Sequence, residues 1–225
     1  MATPYVLVEL GTVGSTQQEA RGRFRGEPLL VTARHQTGGR GRSGRTWVQA
    51  PRAVAATLCF EPGWPEARTG TIPLVAGLAA RDASGDDVRL AWPNDLVRDG
   101  RKVGGILAEG DGGLVVVGLG LNLWWPDPME GAGALLSADP GPEAADWIAE
   151  QWAAGLLERM AAGPDRWGRD EYLAVSSTVG HQVTWQPDGA GRAVGIAADG
   201  GLVVAIGDGE VVLRSGEVRE VRTGD

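Results

Sequence analysis

Residues 114–123, LVVVGLGLNL, are apolar at almost every position and carry no charge. A strand with no polar face belongs in the middle of a sheet, covered on both sides. The preceding segment 102–109, KVGGILAE, reads as its neighbour, joined through a turn at Asp111-Gly112. Further strands are expected at 5–10, 29–33, 53–60 and 88–92. Apolar residues at helical spacing mark 71–83 and 143–162, and 164–173 reads as another helix. Gly11 to Gly14 read as a turn. Ser15 or Thr16 can then cap a short helix through Ala20, because Ser15-x-x-Gln18 and Thr16-x-x-Glu19 both have capping-box spacing.

After about Ser177 the texture changes. Short β runs at 182–186, 193–197, 202–206, 210–213 and 218–221 are separated by Asp188-Gly189, Asp199-Gly200 and Asp208-Gly209. This pattern predicts a small barrel or meander. The fold class is therefore α+β: a mixed β-sheet with packed helices over residues 1–177, then a small all-β domain over 178–225. The 36 glycines among 225 residues fit this reading. They show no three-residue period and are interleaved with Val, Ile, Leu and Trp, which argues against collagen and against a disordered tract.

Charge and cysteine usage exclude other classes. The 21 basic and 29 acidic residues leave a net charge of −8, poor for general nucleic-acid binding. Cys59 is the single cysteine, so no intramolecular disulfide and no multi-cysteine zinc site can form. Inside the apolar strand it reads as a core residue. No stretch approaches the roughly 18 apolar residues of a membrane span. Glu9 interrupts the apolar run 5–8, and no basic segment precedes it, which argues against a secretory signal. A reduced cytoplasm is the expected setting.

Residues 34–47, RHQTGGRGRSGRTW, reverse the sign of the chain: Arg34, Arg40, Arg42 and Arg45 occur with no acid among them. Such a local reversal asks for an anion. Glycines at 38, 39, 41 and 44 let backbone approach a ligand and form anion nests. Arginine grips phosphate or carboxylate oxygens in pairs, and Trp47 offers a flat face. A solvated loop, or a segment gripping single-stranded RNA, would read the same way.

Two residue types are rare. Lys102 is the only lysine beside 20 arginines, and Asn94 and Asn122 are the only asparagines. Asn94 and Asp95 follow Trp92-Pro93 at a strand end, where an amide could meet a purine edge and a carboxylate could help hold Mg²⁺. An ordinary Pro-Asn-Asp turn is the alternative. Lys102 could neutralise a carboxylate and a phosphate together, or be a surface lysine at a strand start. Gly104-Gly105 mark a close approach to the backbone. Asn122 is either a cap or a second amide beside a ligand.

Taken in order, these segments resemble the biotin–protein ligases: Ser15-Thr16, Gln36-x-x-Gly39-Arg40-Gly41-Arg42-x-Gly44-Arg45-x-Trp47, Trp92-Pro93-Asn94-Asp95-Leu96, Lys102-x-x-Gly105-Ile106-Leu107-x-Glu109 and Gly118-x-Gly120-x-Asn122. The β-rich tail is similar to that family's SH3-like C-terminal domain. The resemblance implies a class II synthetase-like catalytic domain and an enzyme that joins biotin and ATP into biotinyl-5′-AMP. Biotin then passes to a lysine of a biotin carboxyl carrier domain of a biotin-dependent carboxylase. It implies biotin contacts from Ser15, Thr16, Gln17, Gln36, Gly39, Arg40, Gly41, Arg42, Lys102 and Gly105. It implies adenylate contacts from Arg40, Arg42, Arg45, Trp47, Asn94, Asp95, Lys102 and Asn122. Lys102 and Arg42 would be catalytic, with Asp95 toward Mg²⁺.

Two positions depart from the family pattern: Gln17 stands where Asn is usual, and Ala91 where Lys is usual. The chain opens on the catalytic domain's first strand, so no DNA-binding or repressor role is expected. Strands 102–109 and 114–123 could offer an edge through which two copies pair. Two other classes share part of the pattern: a lipoate-type ligase of the same fold, and a non-catalytic RNA-binding module using the basic loop.

Overall fold

The computed structural model describes residues 4–216 and 218–220. Seven strands form one sheet: β1 (Val6–Val13), β2 (Leu29–Gln36), β3 (Arg52–Phe60), β4 (Arg89–Ala91), β5 (Asp95–Arg98), β6 (Arg101–Asp111) and β7 (Leu114–Trp124). Their spatial order is β1-β2-β3-β7-β6-β5-β4. β1 and β2 are parallel, and the helix α1 (Thr16–Arg23) makes the crossover between them; the other pairs are antiparallel. The expected two-faced strand β7 is indeed central. The pairing edge expected of 102–109 and 114–123 is not there: β5 covers β6 and β3 covers β7, so the outer strands are β1 and β4.

Alternation along β3 and β7 separates two faces. Val54, Ala56, Leu58 and Phe60 of β3 and Val115, Val117, Leu119 and Leu121 of β7 join the main core. Helices α2 (Ile72–Ser84), α3 (Glu143–Ala161) and α4 (Arg169–Val175) supply its other wall. The opposite residues divide lengthwise. Cys59 and Val116 pack under Ala20 of α1, and beyond them the face carries Thr57, Gly118, Gly120 and Asn122. That second half of the face is the floor of the site.

The remaining strands, β8 (Gln182–Trp185), β9 (Gly189–Ile196), β10 (Leu202–Ile206), β11 (Gly209–Leu213) and β12 (Val218–Glu220), form an antiparallel sheet in the order β11-β10-β9-β8-β12. Val183, Ala193, Ile196, Leu202 and Val204 from it belong to the same buried cluster as the main sheet. Residue 221 of the last expected strand lies outside the described residues.

Four local expectations change. The 11–14 turn is strand through Val13, because Thr12 and Val13 pair with His35 and Gln36 of a longer β2. The helix expected at 164–173 is broken at Gly168, whose φ of 92° ends a short turn and starts α4. Neither capping box forms at α1, where Ser15 makes no side-chain cap bond and the Thr16 hydroxyl is used elsewhere. The β6–β7 turn centres one residue later, on Gly112-Gly113, both at positive φ (57° and 95°) as a two-residue hairpin turn requires.

Candidate active site

Polar residues on the glycine-floored face enclose a cleft of about 320 Å³. Extension of β1 and β2 brings the start of α1 beside the end of β2. The Thr16 N–H and hydroxyl both donate to Gln36 Oε1, at 2.8 and 3.1 Å. Thr57 Oγ1 donates to Thr16 Oγ1 at 2.8 Å from the floor. Gln17 lies flat on β7 and donates from Nε2 to the Leu107 carbonyl at 2.8 Å. A Cβ at position 118 would stand 3.3 Å from that amide, so glycine there gives Gln17 its room. Ser15, Thr16 and Gln17 are all buried yet line the cleft.

The basic loop folds back over this floor. Gly41 N–H donates to the Arg45 carbonyl and Trp47 N–H to the Gly39 carbonyl, closing the loop on itself. Trp47 lies on Gly120 so closely that a Cβ there would meet its ring at 2.6 Å. Gly39 is buried beneath the Trp47 backbone and does not line the cleft itself. Arg40, Gly41, Arg42 and Arg45 do line it. Arg34 does not: it binds Asp146 at 2.7 Å and the Pro142 carbonyl, fastening β2 to α3. Arg42 is half-buried and donates to Asn94 Oδ1 at 3.1 Å and to the Gly216 carbonyl at 3.4 Å. Burial pushes its pKa down, Asp95 pulls it back up, and Arg45 lowers it further.

The far wall is built from β5 and β6. Val97 pairs with Lys102 while Leu96 pairs with Gly104, so Val103 is an inserted residue and Lys102 and Gly105 end on the same side. Lys102 Nζ donates to Asp95 Oδ1 at 2.6 Å. Five basic residues and one acid, Asp95, line the cleft, so the pairing leaves it positive. Asn94 spends its amide inside the protein, donating to the Ile106 carbonyl while accepting from Arg42. Asn122 is buried behind the cleft and donates to the Gly133 carbonyl at 3.0 Å, and Gly133 N–H in turn donates to the Lys102 carbonyl. The one lysine and one of the two asparagines are thus linked through a segment without any motif. Asn122 Oδ1 and Trp47 Nε1 are buried and have no hydrogen-bond partner among the described residues.

Sequence reasoning missed five contributors. Gln49 accepts from Gln36 N–H and donates to the Arg34 carbonyl, clamping the root of the loop. Thr57 looked like part of an apolar strand; a polar residue within the apolar run 53–60 was the available signal. Gly216, Val218 and Arg219 reach the cleft from the small sheet, and no local pattern announces that. Among the described residues no group of three or more His, Cys, Asp or Glu could hold a metal, and no helix is long and apolar enough to cross a membrane.

Residues 14–122 match the Biotin/lipoate A/B protein ligase family. A biotin--[acetyl-CoA-carboxylase] ligase of Mycobacterium tuberculosis is 32% identical over 213 residues, covering 86% of this chain and 79% of its own. One of Paracoccus denitrificans is 33% identical over 220 residues, covering 84% and 88%. Among solved structures, a biotin protein ligase from Aquifex aeolicus in complex with biotin and ATP aligns with a TM-score of 0.82 at 24% identity, over 96% of this chain and 99% of that one. At that identity the likeness speaks to fold.

Proposed function

The chain belongs to the biotin–protein ligase family, and on that footing we propose that it forms biotinyl-5′-AMP from biotin and ATP and passes biotin to a carrier lysine. One observation carries the reading: five segments far apart in sequence wall a single positive cleft with a buried polar end. In the first step a carboxylate oxygen of biotin attacks the α-phosphorus and pyrophosphate leaves. In the second the amine of the carrier lysine attacks the acyl carbon and AMP leaves. Substrate supplies both nucleophiles, which fits a cleft whose charged side chains are basic but for Asp95.

The chain's work is to bring two anions together and to keep water out. We assign Lys102 and Arg42 to the carboxylate and phosphate oxygens, with Arg40 and Arg45 at the cleft mouth. Ser15, Thr16, Gln17 and Gln36 form the buried polar end, suited to a ring that carries both donors and an acceptor. With Nε2 of Gln17 committed to Leu107, its Oε1 is the atom left to accept from a ligand. Trp47, which lines the cleft, carries an unpaired Nε1 donor on the adenylate side, and Asn122 supports that side from behind through Gly133. Asn94 supports the adenylate indirectly, by holding Arg42.

A magnesium ion would be held by the second oxygen of Asp95 together with phosphate oxygens, a hard oxygen set suited to it. It would supply neutralisation of the triphosphate charge. Gln17, one methylene longer than the usual Asn, is accommodated over Gly118. Ala91 leaves its side of β4 without the usual cation.

We divide the chain near 177/178 and read the small sheet as the family's SH3-like domain, supported by its five strands and its reach to the cleft. The acceptor is the carrier domain of a biotin-dependent carboxylase; the two relatives' names specify acetyl-CoA carboxylase. The one buried thiol fits a reduced, cytoplasmic setting. ATP–pyrophosphate exchange measured with biotin, with lipoate and with neither tests the reading. Exchange that requires biotin is expected. Exchange supported by lipoate would move the protein to the lipoate branch, and tight RNA binding without turnover would replace the enzyme by a binding module.

A further inference from the structure

We propose that Trp92 is a positioning residue that couples the small sheet to Arg42, so that the basic loop is held over the cleft while that sheet is docked. Trp92 is buried, and both of its donors are used toward the small domain. Its backbone N–H donates to Thr178 Oγ1 and its indole Nε1 to the Gly200 carbonyl, each at 2.9 Å. The backbone bond is open to any residue, whereas the indole bond to a carbonyl 108 positions away needs the tryptophan itself.

The turn that carries Gly200 is tightly seated. A Cβ on Gly70 would meet the Asp199 carbonyl at 2.9 Å, and one on Gly200 would meet the Gly70 carbonyl at 2.9 Å. Arg68 adds a bond to the Ala198 carbonyl at 2.9 Å. A side chain on either glycine would push the Gly200 turn away from the turn that precedes α2.

Two residues beyond Trp92, Asn94 holds Arg42, and the other arm of Arg42 reaches Gly216 of the small domain. Lifting the small sheet removes the Gly216 contact directly. It also frees Trp92, and with it the short segment that aims Asn94. Asn94 keeps its own pair of bonds to Ile106, so docking adds the Gly216 hold and steadies the segment that carries the other, while the partners of the Arg42 side chain are Asn94 and Gly216 and not Trp92 or Gly200. For a ligase this would tie retention of the activated intermediate to the small domain, a consequence that rests on the function proposed above.

The test uses the full-length protein. Trp92→Phe keeps the ring and deletes the indole donor. Thr178→Val deletes the other acceptor and stands in should Trp92→Phe not fold. Trypsin cleavage after Arg40, Arg42 or Arg45 in the unliganded variant is expected to be about threefold faster or more, with cleavage elsewhere unchanged. In the activity arm, Trp92→Phe raises the KM for ATP about threefold or more in the wild-type background. It adds nothing in Arg42→Ala, where no guanidinium remains to be positioned. Wild-type cleavage rates in the folded variants, or effects on KM that multiply in the double variant, overturn the coupling. Absence of biotin-dependent exchange in the wild type overturns the ligase reading instead and leaves the protease arm to decide this one.

Discussion

Lys102 shows how a single position acquires a role from its surroundings. Its ammonium stands 2.6 Å from Asp95 Oδ1 beside the bare backbone of Gly105, a compact point charge on the cleft wall. Lys102→Arg is expected to slow biotinyl-5′-AMP formation about tenfold or more, read as pyrophosphate release. A rate within a few-fold of wild type would remove Lys102 from the chemistry. Cys59 illustrates the opposite case. Burial pushes its thiol up to about 11 from 9.0, and the mechanism has no use for it. In the unfolded chain the thiol ionises first, so the folded state holds the extra proton between these values and stability falls as pH rises through that window. Ellman's reagent at pH 8 should find no reactive thiol in the native protein and one after guanidinium; rapid native labelling would contradict the packing.

At the scale of the element, β7 does two jobs through one alternation. Its odd positions are leucine and valine against the helices, and its even positions 118 and 120 are bare backbone beneath the cleft. The glycines are there because Gln17 and Trp47 occupy the volume a side chain would need. Gly120→Ala forces the Trp47 ring off the strand, since its Cβ would come within 2.6 Å. The KM for ATP should rise roughly ten- to a hundredfold, the scale of an ångström-sized misplacement. Calorimetric binding of biotin should change far less. Equal losses for both ligands would mean that the strand itself had been disturbed.

At the scale of the whole molecule, separate helices are tied by one side chain. Arg159 of α3 binds Asp82 of α2 at 2.7 Å and Glu171 of α4 at 2.6 Å. Arg159 holds the Glu171 carboxyl below its ordinary value, with burial opposing it. A depressed folded-state pKa contributes stability above the ordinary carboxylate value and loses it as pH falls through the folded one. Arg159→Gln is expected to cost about 1 kcal/mol, roughly 2–4 °C in Tm at neutral pH, and to flatten the loss of stability on acidification. An unchanged acid limb would show that the network contributes nothing.

Local chemistry carried much of this protein. Period, turn residues and strand composition act between near neighbours, so the central strand, most helices and the β-rich tail were legible in the chain itself. So were the five motifs, because rare Lys and Asn and a basic glycine run stand out against an acidic, arginine-rich background. What the fold decided was every relation that depends on distant partners. Only packing took Arg34 away from the cleft, extended β1 to meet Gln36, spent Asn94 on Arg42, and brought Gly216 from the small sheet to the same guanidinium. Those pairings join residues up to 174 positions apart, and no spacing along the chain encodes which of them will meet.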